Sequence, residues 1–414
     1  MRKIIYVGQL HDNSGYGVAA RTNLLAINKV KEKYSNQFDI KAFSLSFENR
    51  SSIENEPEFK EIKHLLINGD EAARLILEES GQYEVVLHLP IPAAYLSHTR
   101  PDEGWKFIKR FFENSKYNHN ISAWESDKVP SSWINMAEKL NIKNFATPST
   151  WNSEVYLDSL NLESVHTIPH VVECTPEVSL QEFSFEEHLK DSFKLISISQ
   201  WQPRKDFETL IRAFYAALHD KEDALLIIKS YRNLMDSEDS NRKESADLMR
   251  QITNIRNSIF IENGAEAKCK TLFIGGVIEK EKLNRLISIS DAYITCTRGE
   301  GFGLPISEAM ALEKPVIVPD QTGHMDFVTE DNFLIKGHWD IAHSIPGYPS
   351  DSNFYYSHIN SAASQIKKCY NMFKEEREKL RKIGVNNKKS ISSANYDLVS
   401  VGESFFEFLN KGQN

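Results

Sequence analysis

Two glutamates, Glu300 and Glu308, stand with seven residues between them in TRGEGFGLPISEAM, the stretch from Thr297 to Met310. Three glycines and a proline share that stretch. Glycine lets a backbone approach a ligand without a Cβ collision and permits positive φ. Pro305 suits the first turn of a helix, where its missing N–H costs nothing. The apolar run AYIT ends at Thr295 just upstream, so the order reads as strand, loop, helix N-terminus. Free backbone N–H groups at a helix N-terminus make a ready anion site, as for phosphate. Phosphate does not explain the carboxylates, which repel it. Carboxylates are strong acceptors for sugar hydroxyls. Phosphate and polyol together point to a nucleotide sugar. The plain alternative is a turn followed by a helix whose dipole favours an acidic residue.

The segment RGEGFGLPISEAMALEKPVI resembles the E-x7-E segment of GT-B glycosyltransferases, in particular the retaining family-4 type. The resemblance implies that Glu300 contacts the donor sugar and Glu308 the nucleotide ribose. Backbone groups of Gly301, Phe302, Gly303 and Leu304 would approach the sugar and diphosphate. SISQWQPRKDFETLIRAF, Ser197 to Phe214, is similar to the family's first strand-loop-helix of the donor domain, whose loop carries an Arg and a Lys on the diphosphate. Lys205 sits where the lysine is expected. Arg204 is adjacent, whereas the family's arginine often lies earlier, where this chain has Gln200. Basic residues are unfavourable at a helix start, which argues against a merely solvated pair. FIGGVIEKEKLNRLISISDAYITCTRGEG follows the same pattern, placing Gly276 to Ile278, with Val277, against the nucleotide base; a structural strand end is the alternative. Lys229 ends a strand on the same expected edge.

QLHDNSGYGVAARTNLL resembles the first glycine loop of the acceptor domain, with Gly15 and Gly17 before a helix, able to approach the donor phosphate or the acceptor. A plain strand-to-helix turn is the equal alternative. AWESDKVPSSW is similar to a W-E-x-x-x-x-P-x-x-W segment of a subset of these transferases, and Glu125 stands roughly where many members carry a histidine. His88, ending VVLHL, is a second candidate, outweighed by the reading of a satisfied buried histidine. His170 reads as a structural turn residue. In PDQTGHMDFV, Thr322 and Gly323 would lie near the donor. WKFIKRFF, Trp105 to Phe112, is either a peripheral membrane contact or a helix burying Trp105, Ile108 and Phe112 with its basic residues wet.

The elements that must position these residues alternate. Strand readings cover Ile4–Val7, Glu84–Leu89, Phe145–Thr147, His166–Pro169, Phe193–Ile198, Leu225–Lys229, Leu272–Ile274, Ala292–Thr295 and Val316–Val318. Helical readings fall between them, at Val18–Lys29, Ser153–Leu160, Phe207–Leu218, Ser240–Asn257, Lys280–Ser288 and Ser307–Leu312. Strand and helix taking turns implies parallel sheets covered on both faces. The expected fold class is α/β, with two Rossmann-like doubly wound domains facing each other across a cleft, as GT-B implies. The expected divisions are an acceptor-binding domain at 1–172, an acidic linker at 173–190, a donor-binding domain at 191–395 and a C-terminal helix at 396–414. That helix is amphipathic, with Val399, Phe405, Phe406 and Leu409 on or near one face. It caps its own domain or packs back on the first; the pattern slightly favours the former. The stretch from Gly337 to Asn360 matches no pattern.

The chain has 414 residues, 26% charged and 41% hydrophobic, normal for a globular protein with sizeable cores. A net charge of -9 argues against broad nucleic-acid or anionic-membrane binding without excluding a local basic patch. Four scattered cysteines lack metal-ligand or disulfide spacing. With no signal peptide or membrane span in the sequence, a cytoplasmic location is expected.

The reading is therefore a glycosyltransferase, hexosyl or pentosyl, moving sugar from a nucleotide-diphospho-sugar donor to a hydroxyl acceptor, glycan or lipid-linked. Retention, metal independence and the absence of a cofactor are what the resemblance implies. The alternatives are an epimerase or phosphorylase of the same fold, a transferase acting on a modified nucleic-acid base, and a non-catalytic sugar-nucleotide-binding partner.

Overall fold

The computed structural model describes residues 1–12, 14–45, 53–98, 103–232, 238–260, 266–342, 345 and 347–411. Contacts divide the chain into two units, Met1–Val171 with Asn395–Asn414, and Val172–Ala394.

The first unit runs β1 (Arg2–Gly8), α1 (Gly15–Tyr34), β2 (Phe38–Ser44), α2 (Pro57–Ile62), α3 (Gly69–Glu78), β3 (Tyr83–His88), α4 (Glu103–Glu113), β4 (Tyr117–Ile121), α5 (Ser132–Lys139), β5 (Ile142–Thr147), α6 (Thr150–Leu160) and β6 (His166–Thr167). The strands pair in parallel in the order β2-β1-β3-β4-β5-β6. Apolar runs such as Ile4–Val7 and Val85–Leu87 are buried throughout, as a parallel sheet covered on both faces requires.

The second unit runs β7 (Phe193–Ile198), α7 (Phe207–Leu218), β8 (Ala224–Lys229), α8 (Glu238–Phe260), β9 (Lys270–Ile274), α9 (Lys280–Ile289), β10 (Ala292–Ile294), α10 (Leu304–Ala311), β11 (Val316–Pro319), β12 (Phe333–Ile335), β13 (Gly337–Ile341), β14 (Asn353–Ser357), α11 (Ile359–Glu375) and α12 (Arg377–Ser393). Its sheet is parallel, in the order β12-β11-β10-β7-β8-β9. Strands β13 and β14 form a separate antiparallel hairpin. The core lies between this sheet and α7 and α11, around Phe193, Phe214, Ile294 and Ile366.

Two expectations on organisation change. The acidic stretch 173–190, read as a linker, belongs to the second unit. Arg285 holds Glu186 through two bonds of 2.7 and 2.6 Å, Asn284 donates to Glu177 O at 2.7 Å, and Ser179 N–H donates to Glu281 O at 3.0 Å. Its acidity is part of its docking on α9. The C-terminal helix α13 (Leu398–Lys411) packs in the first unit and does not cap the second. Tyr34 stacks on Phe406 with centroids 4.1 Å apart, and Arg2 Nη1 donates to Leu409 O at 2.9 Å. Gly402 abuts α1 so closely that a Cβ there would lie 2.3 Å from Ala26 O. An apolar stripe says that one face is buried, not against what. The stripe itself is shifted, since Val401 is buried and Val399 exposed.

Helix α4 buries Ile108, Phe111 and Phe112, and Lys109 pairs with Glu113 on the surface at 3.3 Å. The side chain of Trp105 lies outside the described residues. Among the described residues no helix is long and apolar enough to cross a membrane.

Candidate active site

In the second sheet β8 and β9 extend to one side of β7, while β11 and β12 extend to the other side of β10. The winding reverses between β7 and β10, so the loops leaving their carboxyl ends part and leave a crevice, the usual ligand position in such sheets. The loop after β7 carries Arg204 and Lys205, and the loop after β10 carries Glu300. Lys205 Nζ lies 2.5 Å from Glu300 Oε1. Arg204 Nη1 lies 3.5 Å from Glu300 Oε2 and donates to Gly299 O at 2.6 Å. The side chains of Arg204, Lys205 and Glu300 are only 11, 11 and 12% exposed. Burial alone would push the Glu300 carboxyl up. The charges of Lys205 and Arg204, with hydrogen bonds from Lys205 and Thr297, outweigh it and hold the group down at about 2. Glu300 is therefore an ionised acceptor at any ordinary pH and has no proton to give.

Local sequence explains how these loops are held. Pro203–Lys205 form a single 3-10 turn that ends at Asp206, φ 46°. Asp206 then caps α7 by accepting the Thr209 N–H at 3.3 Å. Arg298 Nε reaches Asp206 at 3.1 Å, and Arg298 N–H donates to Arg204 O at 2.8 Å. The two loops are thereby stitched side by side.

Helix α10 starts at Leu304, earlier than the Ser307 read from the sequence, and Gly303 precedes it at φ 97°. A side chain at Gly303 would be strained by that φ and would press Ile306 Cδ1 at 3.0 Å. Gly301 and Phe302 are buried, and the Phe302 ring packs on Phe327 with centroids 5.1 Å apart. Phe302 thus spends its side chain on the core and has only backbone to offer a ligand. Thr322, at φ 81°, accepts the Glu300 N–H at 3.1 Å, and Gly323 N–H donates to Glu300 O at 2.9 Å. His324 Nε2 donates to Pro319 O at 2.6 Å, and burial lowers its pKa. Thr322 and Gly323 therefore brace the Glu300 backbone.

Glu308, one turn into α10, pairs with Lys280 at the start of α9. Lys229, at the end of β8, is buried and donates to Gly276 O, and burial pulls its pKa down to about 8. Gly276 has φ 71°, and Val277 beside it is 52% exposed. The hairpin β13–β14, unread in the sequence, walls the Glu300 loop. Tyr355 N–H donates to Arg298 O at 2.9 Å, the Arg298 guanidinium lies 4.6 Å over the Tyr356 ring, and Tyr355 OH donates to Asp320 at 2.6 Å.

The other expected residues belong to the first unit. Gly15 and Gly17 lie in the first turn of α1, not before it, with Ser14 as the cap accepting the Gly17 N–H at 3.1 Å. A Cβ on Gly17 would fall 2.0 Å from Asp12 O, so the chain's own backbone demands that glycine; around Gly15 there is open space. Tyr16 between them donates to Ala123 O at 2.7 Å and accepts the Ala123 N–H at 3.2 Å. The glycine loop and the tryptophan–glutamate motif are thus one assembly. Trp124 packs edge-on against Trp133 at 4.9 Å; its N–H donates to Asn152 Oδ1 at 2.8 Å, and Asn152 Nδ2 donates to Trp124 O at 2.6 Å. Glu125 is half-buried on this frame. His88 is buried against Tyr6 OH through Nδ1 and stacks on His170; burial pushes its pKa down to about 3 and that of His170 to about 4. The satisfied core histidine is what the fold contains.

Sequence reading passed over Arg298, Asp206, Lys280 and Tyr16. Asp206 carried a signal, an N-cap residue before an apolar helix. The others depend on contacts distant in sequence.

Residues 180–345 match the family described as glycosyl transferases group 1. Comparison with curated protein sequences returns no match. Among solved structures, Anabaena HepE in complex with UDP-glucose is similar, with TM-score 0.61 and 16% identity over 99% of this chain and 100% of that one. A variant of S. aureus TarM in complex with fondaparinux, α-GlcNAc-glycerol and UDP gives TM-score 0.64 at 11% identity, covering 99% and 100%. An E. coli structure described as trehalose-6-phosphate bound with UDP-2-fluoro glucose gives 0.63 at 12% identity, covering 100% and 99%. The chain has the GT-B fold of two Rossmann-like units, and its match to glycosyl transferases group 1 falls within the second unit.

Proposed function

We propose that this protein transfers a hexosyl or pentosyl group from a nucleotide-diphospho-sugar to a hydroxyl acceptor. The observation that carries this reading is the ion pair of Lys205 and Glu300, joined by Arg204, across the switch point of the second sheet. Lys205 and Arg204 would meet the donor diphosphate and stabilise the charge that builds on it as it leaves. Glu300, held ionised, would accept hydrogen bonds from sugar hydroxyls, and Glu308 would do the same for the ribose. Leu304 and the N-terminal turn of α10 would offer backbone N–H groups to the phosphates. Two cations there would meet the leaving-group charge without a divalent ion or other cofactor. Retention at the anomeric carbon fits the resemblance to the family-4 type.

The structures named with UDP-glucose and UDP-2-fluoro glucose support a UDP-sugar as the first donor to try. A glycan or lipid-linked acceptor, in polysaccharide or glycoconjugate synthesis, is the acceptor class proposed. The first unit would receive it, with Gly15, Tyr16 and Glu125 gathered on one assembly and Glu125 the catalytic carboxylate proposed for that unit.

The experiment is a panel of nucleotide sugars incubated with purified protein, with and without simple sugar acceptors, reading release of nucleoside diphosphate. Turnover of one donor, lost in Lys205→Ala, is the expected result. Turnover of none, or equal turnover by the folded Lys205→Ala protein, would refute the proposal.

A further inference from the structure

Lys229 closes β8 beside the switch-point crevice, and Ser230 follows it. Lys229 is 5% exposed, and among the described residues its hydrogen-bond acceptor is Gly276 O alone; no carboxylate pairs with it. An ammonium carries three donors, so two N–H groups remain. The aromatic ring of Tyr231 lies 5.8 Å from Nζ. The next hydroxyl, Ser230 Oγ, is buried with no hydrogen-bond partner. Buried polar groups are normally satisfied, and here two successive residues hold unused capacity.

Their position limits what could use it. The loop after β9 begins at Gly275 and leads to Lys280, which pairs with Glu308. Lys229 grips this loop from one side and Glu308 lies at its far end. A nucleoside with its ribose on Glu308 and its diphosphate on Lys205 would lay its base along Gly276 and Val277. The exposed Val277 side chain offers a planar ring an apolar face.

We propose that Lys229 selects the base of the donor nucleotide, favouring one with a carbonyl oxygen at its outer edge, uracil or guanine, over its counterpart with an amino group there, cytosine or adenine. This rests on the donor reading above. A cationic donor matches the carbonyl and meets the amine donor to donor, leaving a buried polar group unpaired.

The test is isothermal titration of UDP, CDP, GDP and ADP into four proteins: unaltered, Lys229→Met, Lys229→Gln and Lys205→Ala. Within each size-matched pair, the unaltered protein binds the carbonyl member about tenfold more tightly or better. The ratio collapses to within about twofold in Lys229→Met. In Lys205→Ala all affinities fall together and the ratio stays. Lys229→Gln keeps a donor without the charge and retains part of the ratio. An unchanged ratio in Lys229→Met overturns the role of Lys229 and leaves the donor reading standing. No binding of any of the four by the unaltered protein overturns both. Failure of both Lys229 variants to fold also overturns the proposal, since Lys229 would then serve the sheet.

Discussion

Lys205 Nζ sits 2.5 Å from Glu300 Oε1, and this bond joins the loops that leave β7 and β10 on either side of the switch point. Both side chains are about nine-tenths buried, so each charge needs the other. The arrangement sets a cationic half beside an anionic half, the pairing that the proposed diphosphate and polyol ligand would need. On the proposed reading, phosphate oxygens of such a ligand would replace the carboxylate at Lys205, and sugar hydroxyls would replace the ammonium at Glu300. The site would then exchange one satisfied set of partners for another without leaving a buried charge bare.

Glu300→Gln tests that balance. The substitution preserves shape and leaves Lys205 and Arg204 without their counter-charge. Breaking a buried pair by removing one partner costs about 3 kcal/mol, so the melting temperature falls. Sugar transfer falls by about a hundredfold or more, as when an electrostatic contact to the reacting group is removed. Added nucleoside diphosphate restores negative charge and raises the melting temperature more in the variant than in the unaltered protein. Thermal melts with and without the nucleotide check this.

Glu308→Gln separates binding from chemistry. Glu308 pairs with Lys280 and would meet the ribose, remote from the bond that breaks. Its loss weakens nucleotide binding about tenfold and raises KM for the donor with kcat nearly kept. A fall in kcat with KM unchanged would place Glu308 in the chemical step and contradict the assignment.

Acid stability reports on the first unit. The ordinary histidine pKa of 6.5 drops for His88 to about 3, because burial disfavours its charged form. The unfolded chain takes up the proton first as pH falls. The stabilising contribution of neutral His88 is therefore whole above pH 6.5 and is lost as pH falls from 6.5 toward about 3. The slope is up to about 1.4 kcal/mol per pH unit for one such group. Urea midpoints should decline across that window, and His88→Gln should flatten part of the decline.

Gly402→Ala tests the packing of the last helix. A Cβ would lie 2.3 Å from Ala26 O, too close for any relaxation short of moving α13 off α1. The expected loss is about 2 kcal/mol or more, against a gain in helix propensity of under about 1 kcal/mol. A denaturation midpoint unchanged from the unaltered protein would show that α13 does not dock as described.

How much of this could be read in the sequence depends on how local the cause was. β7 and α7 fall where the apolar runs Phe193–Ile198 and Phe207–Leu218 put them. The Glu300 loop was legible because its glycines, proline and acids act within one turn of chain. Strand β4 was not legible, since YNHNI reads as polar. Its Asn118, His119 and Asn120 are nonetheless buried. They are satisfied across the sheet: His119 meets Glu84 at 3.0 Å, and Asn120 donates to Leu87 O and Leu89 O at 3.1 and 2.8 Å. Glu84 in turn takes two bonds of 2.8 and 2.6 Å from Arg2, the residue that also holds the end of α13. Such a network is written in pairs up to the full chain length apart. The docking of 173–190 on α9 and of the hairpin on Arg298 escaped notice for the same reason.

The most direct test is a structure of the protein with the nucleotide sugar that the donor panel identifies, read at Lys205. The account predicts a diphosphate oxygen within about 3 Å of Lys205 Nζ, with the Glu300 carboxylate turned from lysine to a sugar hydroxyl. A nucleotide sugar lodged elsewhere, with the Lys205–Glu300 bond intact, would contradict it.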